Sequence, residues 1–163
     1  MDKSEYRPYN PLSKESLGNS IMQALMSSEA VPITQLQRFT GAGIYALFYR
    51  STAPFMQYER YAKKNRKECR FPIYVGKAVQ AGARKGMLLE DEDPGPVLYQ
   101  RLSEHAESLK AAQNLSADDF MVRYLCLDNI WIPLGETLLI SQFSPLWNVY
   151  VDGFGNHNPG LYR

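Results

Sequence analysis

Apolar positions along the chain follow two periods, and the change from one to the other outlines the elements. Residues 1–15 include Pro8 and Pro11, which block an early helix and predict an extended arm. From Ser16 to Ser28, Leu17, Ile21, Leu25 and Met26 recur at helical spacing, and Pro32 closes that region. Three runs are β-branched and aromatic and predict strands: Gly43–Tyr49 (GIYALFY), Phe71–Val75, stopped by Gly76, and Met121–Leu127 (MVRYLCL). Between the first two lies FMQYERYAKKNRKECR, a basic and aromatic stretch compatible with a helix. Residues 82–96 read as a loop containing the acidic run Glu90-Asp91-Glu92-Asp93. Helical spacing returns over Val97–Ala112, with Leu98, Leu102, Ala106 and Leu109 on one side. It returns again over Leu134–Phe143, which stops before Pro145. The tail, DGFGNHNPG, is glycine-rich loop. The pattern predicts an α+β fold: a small, mainly antiparallel three-stranded sheet flanked by helices. No repeat or linker divides the 163 residues, which are expected to form a single domain.

Composition agrees with a packed core, at 45% hydrophobic and 21% charged residues. No apolar run approaches the ~20 residues of a membrane span, and the N-terminus lacks the apolar stretch of a signal peptide. Cys69 and Cys126 stand far apart without metal-type spacing, as expected of free thiols in a reducing compartment. A cytoplasmic location without membrane association follows as the expectation. A net charge of +1 argues at first against a nucleic-acid partner. The distribution alters that: from Arg50 to Lys85 ten basic residues face only Glu59 and Glu68, a local net charge of +8. Such a segment is either a phosphate-binding face or a solvated lysine-rich surface.

Several polar residues occupy conspicuous places. Tyr45 lies inside the first strand and Tyr74 near the end of the second. Arg101 and His105, four apart, share one helix face. Glu136 stands in the first turn of the last predicted helix, and Asn148 follows a proline turn. Singly, each has an ordinary explanation: a core aromatic with a polar tip, a solvated helix face, a carboxylate favoured by the helix dipole, a turn residue.

Taken in order, they resemble the GIY-YIG nuclease family. Gly43-Ile44-Tyr45 matches the GIY element, and Tyr74-Val75-Gly76 matches YIG with valine for isoleucine. YQRLSEHAESL carries the arginine and histidine of the family's helix, and GETLLISQFSPLWN its glutamate, proline and terminal asparagine. The resemblance covers roughly residues 41–150. Tyr74 follows Tyr45 by 29 positions, farther than in many members, and a second long insertion precedes the arginine helix. The expected layout is therefore an arm and helix (1–40), a catalytic core (41–150) with insertions at 50–70 and 77–96, and a tail (151–163). Elaborated cores of this kind resemble the type II restriction endonuclease branch, within it enzymes cutting GC-rich palindromes such as CCGCGG. A structure-directed or homing-type nuclease and a non-catalytic nucleic-acid-binding module are the alternatives.

The resemblance implies a division of labour. Glu136 would hold one divalent ion, Mg²⁺ being the natural choice for an oxygen ligand, with no organic cofactor. Tyr45 would take the proton of the attacking water, assisted by His105 or Lys77. Arg101 would clamp the phosphate, Tyr74 would orient water or phosphate, and Asn148 would brace the site. Lys63, Lys64, Arg66, Lys67, Arg70, Arg84, Lys85, His157 and Asn158 are the expected contacts to double-stranded DNA. Symmetric cutting of a palindrome implies a homodimer on DNA.

Overall fold

The computed structural model describes residues 7–80 and 93–149. Ser13 caps the first helix, α1 (Lys14–Ser27), its hydroxyl accepting from the Ser16 amide at 3.2 Å. The cap starts the helix two residues before the apolar spacing does. A two-residue strand, β1 (Val31–Pro32), leads to β2 (Gly43–Tyr49). The short helix α2 (Glu59–Lys64) separates β2 from β3 (Tyr74–Ala78). Helix α3 (Val97–Ala111), β4 (Phe120–Cys126), α4 (Ile132–Phe143) and α5 (Leu146–Val149) follow.

The sheet has four strands rather than the predicted three, in the order β1-β4-β2-β3, and every pair is antiparallel. The addition is β1, in which Val31 pairs with Val122 and Pro32 with Met121. A proline is tolerated there because β1 is an edge strand, where no further ladder bond depends on its missing N–H.

Strand β2 is central and buried along its whole length. Its run is apolar on both faces because both faces are covered. Tyr45, Leu47 and Tyr49 pack with Leu98, Leu102 and Leu109 of α3, together with Phe120 and Trp147. Ile44, Ala46 and Phe48 pack with Ile21 and Leu25 of α1 and with Ile132 and Leu139 of α4. Truncating a fully buried leucine such as Leu102 to alanine costs about 2–5 kcal/mol.

Strand β3 departs from the expected Phe71–Val75. It begins at Tyr74 and passes through Gly76 to Ala78, placing Gly76 opposite Tyr45, Lys77 opposite Ile44 and Ala78 opposite Gly43. Gly76 does not stop the strand. A Cβ on it would run into the Tyr45 phenol, with Cζ only 2.5 Å away, so glycine is needed for space. Lys77 and Ala78, at the start of the stretch expected as the second insertion, thus belong to β3. Gly43 meets a similar limit, since a Cβ there would lie 2.9 Å from the carbonyl carbon of Leu125.

Helix α4 starts at Ile132, two residues before the predicted Leu134, with Pro133 in its first turn, where a missing N–H costs nothing. Glu136 is thereby the fifth residue of the helix. The N-terminal dipole, strongest in the first turn, does not explain its position.

Candidate active site

Two elements meet at Tyr45. Period-two alternation turns its side chain from β2 toward α3, and the four-residue spacing on α3 presents Arg101 and His105 to it. The Tyr45 phenol oxygen and His105 Nε2 lie 2.5 Å apart. Both residues are buried, at 0% and 3% exposure. Tyr74 enters from β3, its ring centroid 6.1 Å from that of Tyr45 and 5.5 Å from that of His105. Arg101 is mostly buried, and its Nη1 donates to Glu104 Oε2 at 3.1 Å.

Burial dominates the proton affinities. It raises the Tyr45 phenol well above its usual value; Tyr74 adds to the rise and the charge of Arg101 opposes it. Tyr74 is raised by burial too, with Arg101 opposing and Glu136 reinforcing. Tyr74 thus feels the charges of both Arg101 and Glu136. Burial, then the charge of Arg101, lowers His105 to about 3. At neutral pH the imidazole is uncharged, and with its proton on Nδ1 the Tyr45 hydroxyl donates to Nε2.

The second half is an ion pair. Lys77 Nζ of β3 stands 3.3 Å from Glu136 Oε1 of α4, with side chains 33% and 21% exposed. Lys77 alternates with Gly76 and so leaves β3 on the face opposite Tyr45. His105 touches the phenol directly, while the ammonium of Lys77 is engaged with Glu136. The donor set can be tested against a metal. Among the described residues, no three or more His, Cys, Asp and Glu side chains gather to hold an ion. Among the described residues, Glu136 would be the carboxylate that offers itself to an ion. Mg²⁺ suits such a set, because it retains most of its waters and shares phosphate oxygens.

Asn148 of α5 sits against the outer edge of β3. Its Oδ1 accepts from the Val75 amide and its Nδ2 donates to the Val75 carbonyl, each at 2.8 Å. The neighbouring Trp147 amide donates to Ile73 O at 3.0 Å. These bonds occupy backbone groups that an edge strand would leave open. Asn148 thereby holds in place the strand that carries Tyr74 and Lys77.

Some residues of structural consequence carry no signal in the sequence. Asn65 is fully buried, and its carboxamide donates to Tyr49 O and Phe71 O and accepts from the Arg70 and Phe71 amides. It fastens the first insertion to the sheet. Buried Arg123 joins Cys69 O, Ser28 O and the Glu68 carboxylate. The phenols of Tyr58 and Tyr61 accept from Trp147 Nε1 and the Leu146 amide, each at 3.2 Å, and so tie the insertion to α5.

Among the expected DNA contacts, Lys63 pairs with Glu59 at 3.2 Å and Arg70 with Glu68 at 2.7 Å. Lys64 lies over the Phe71 ring, 4.5 Å from its centroid, and Arg66 and Lys67 are exposed. Arg84, Lys85, His157 and Asn158 fall outside the described residues. No helix among the described residues is long and apolar enough to cross a membrane.

A comparison with curated proteins gave no match. Residues 37–163 match a family model described as the Eco29kI GIY-YIG domain. That span takes in the whole arrangement from Tyr45 to Asn148. The chain belongs to the Eco29kI GIY-YIG domain family, and is a nuclease domain of restriction-enzyme type.

Proposed function

We propose that this chain hydrolyses phosphodiester bonds of double-stranded DNA at a short GC-rich palindrome such as CCGCGG. It does so as a cytoplasmic homodimer with one Mg²⁺ per active site. The observation that carries this reading is the contact of the Tyr45 phenol with His105 Nε2 where β2 meets α3, with Arg101 on the same helix face. Arg101 supplies a cation, Glu136 a carboxylate and His105 a proton acceptor. A phosphodiester bond needs this combination: charge stabilisation, a hard-metal ligand and a path for the proton of water.

The residues divide the work as follows. Arg101 receives the phosphate through its planar fork. Tyr45 removes the proton of the attacking water while passing its own to His105 Nε2. Both transfers must run together, because burial keeps an isolated phenolate or imidazolium costly. An anionic phosphate beside Arg101 offsets the charge that depresses His105, so the imidazole accepts a proton more readily with substrate bound than without it. Tyr74 orients the water or a phosphate oxygen, and Asn148 fixes β3. Mg²⁺, held by Glu136, would supply charge stabilisation at the departing oxygen. Two copies related by a twofold axis would cut both strands of a palindrome.

The test is a digest of phage-sized DNA with and without Mg²⁺, beside Glu136→Ala. Discrete metal-dependent fragments, absent with the variant although it still binds DNA, are expected, and their ends give the site. Nicking or a smear would favour a structure-directed nuclease, and binding without cleavage a non-catalytic module.

A further inference from the structure

A groove of about 400 Å³ opens between α2 and the corner joining α4 to α5, away from the contact of Tyr45 with His105. Arg60 and Lys64 of α2 line it together with Gln57, Tyr61, Phe71 and Ser144. Among the described residues no acidic side chain lines it. Neither Arg60 nor Lys64 is in an ion pair among the described residues, whereas Lys63, Arg70, Lys77 and Arg101 are. The Lys64 ammonium lies over Phe71, so its charge is held at the groove wall by an aromatic face. Ser144 sits at φ 42° and ψ 55°, the left-handed C-cap of α4, where glycine is the usual residue. Serine there puts a hydroxyl on the groove wall at a conformational cost that glycine would avoid.

Two cations, an amide, the hydroxyls of Ser144 and Tyr61 and three aromatic rings in one depression match an anion attached to a flat or apolar group. We propose that this groove anchors the backbone of the DNA strand outside the scissile position, with Arg60 and Lys64 neutralising phosphate and Phe71 and Tyr61 packing against the adjoining sugar or base. The proposal rests on the reading that the chain acts on double-stranded DNA. Tyr61 gives the groove a route to the active site, because its phenol also holds the Leu146 amide of α5, the helix whose Asn148 pins Val75.

The test compares the salt dependence of binding to a 40-bp duplex for the wild-type chain, for Arg60→Gln/Lys64→Gln, and for a control, Lys14→Gln/Lys110→Gln. The control removes two exposed lysines from α1 and α3. Each lost phosphate contact lowers the slope of log K against log salt by about 0.9. Between 50 and 200 mM salt the groove variant should therefore lose affinity about 12-fold less steeply than wild type, while the control keeps the wild-type slope. Unfolding temperatures of all three check that the fold is retained. An unchanged slope in the groove variant, or an equal drop in the control, would overturn the groove assignment alone. Absence of duplex binding by the wild-type chain would overturn the DNA reading and the groove with it.

Discussion

The Tyr45 phenol and His105 Nε2 share a hydrogen bond of 2.5 Å where β2 meets α3, and both side chains are closed off from bulk water. A phenol in such a place cannot act as a base by ionising beforehand, because burial raises its pKa. It can act only by exchanging one proton for another, and His105 is the acceptor in contact with it.

Tyr45→Phe isolates that hydroxyl. It keeps the ring that fills the core and deletes the buried hydrogen bond to His105, worth ~1 kcal/mol. The folded state should persist with a slightly lower unfolding temperature, while single-turnover cleavage falls by roughly 10²-fold or more. Cleavage at the wild-type rate by a folded Tyr45→Phe would remove Tyr45 as the base.

Gly76→Ala tests the space in which that ring sits. The added methyl would meet the phenol Cζ at 2.5 Å and Tyr74 Cε1 at 2.9 Å, and both rings are hemmed in by the core. Overpacking of this kind costs about 1–3 kcal/mol. Displacement of Tyr45 from His105 should lower cleavage by more than the fraction unfolded accounts for. Thermal denaturation and single-turnover rates measured together separate the two effects; a stable variant with full activity would show that the ring position is not critical.

His105 makes stability depend on pH. Its folded pKa, about 3, lies below its unfolded value of ~6.5, so the unfolded chain binds the proton more readily between those values. Stability then rises with pH across that window, by up to about 1.4 kcal/mol per unit, and gains nothing further from this residue above it. His105→Gln should show a shallower loss of stability between pH 6.5 and 4 in urea titrations. Parallel curves for the two proteins would contradict the burial of a neutral imidazole.

The same residues show how far the sequence can be read. Tyr45, Tyr74, Arg101 and His105 are legible through the ordered motifs that resemble the GIY-YIG family; period alone fixes their faces but leaves each an ordinary core aromatic or helix-face residue. The role of Gly76 is not legible, since a glycine that ends a strand and one that makes room for a facing ring look alike until register puts Tyr45 opposite it. Asn65 stands among charged residues and reads as surface, although its four hydrogen bonds reach Tyr49, Arg70 and Phe71. The Lys77–Glu136 pair joins positions far apart in the chain, which only the packing of α4 on β3 brings together.

That pair supports a last prediction, which also separates the two candidates for assisting Tyr45. Lys77 Nζ is 3.3 Å from Glu136 Oε1, and the partly exposed pair contributes little to stability by itself. A divalent ion held by Glu136 would compete with the ammonium for the same carboxylate. Lys77→Met removes that competitor and leaves the contact between Tyr45 and His105 intact. The variant should fold normally and reach its half-maximal cleavage rate at a Mg²⁺ concentration several-fold lower than wild type. If Lys77 serves only Glu136, the pH–rate profile at saturating Mg²⁺ keeps its shape, whereas that of His105→Gln changes. A collapse of the rate in Lys77→Met at every Mg²⁺ concentration, with His105→Gln still active, would transfer the proton-accepting role from His105 to Lys77.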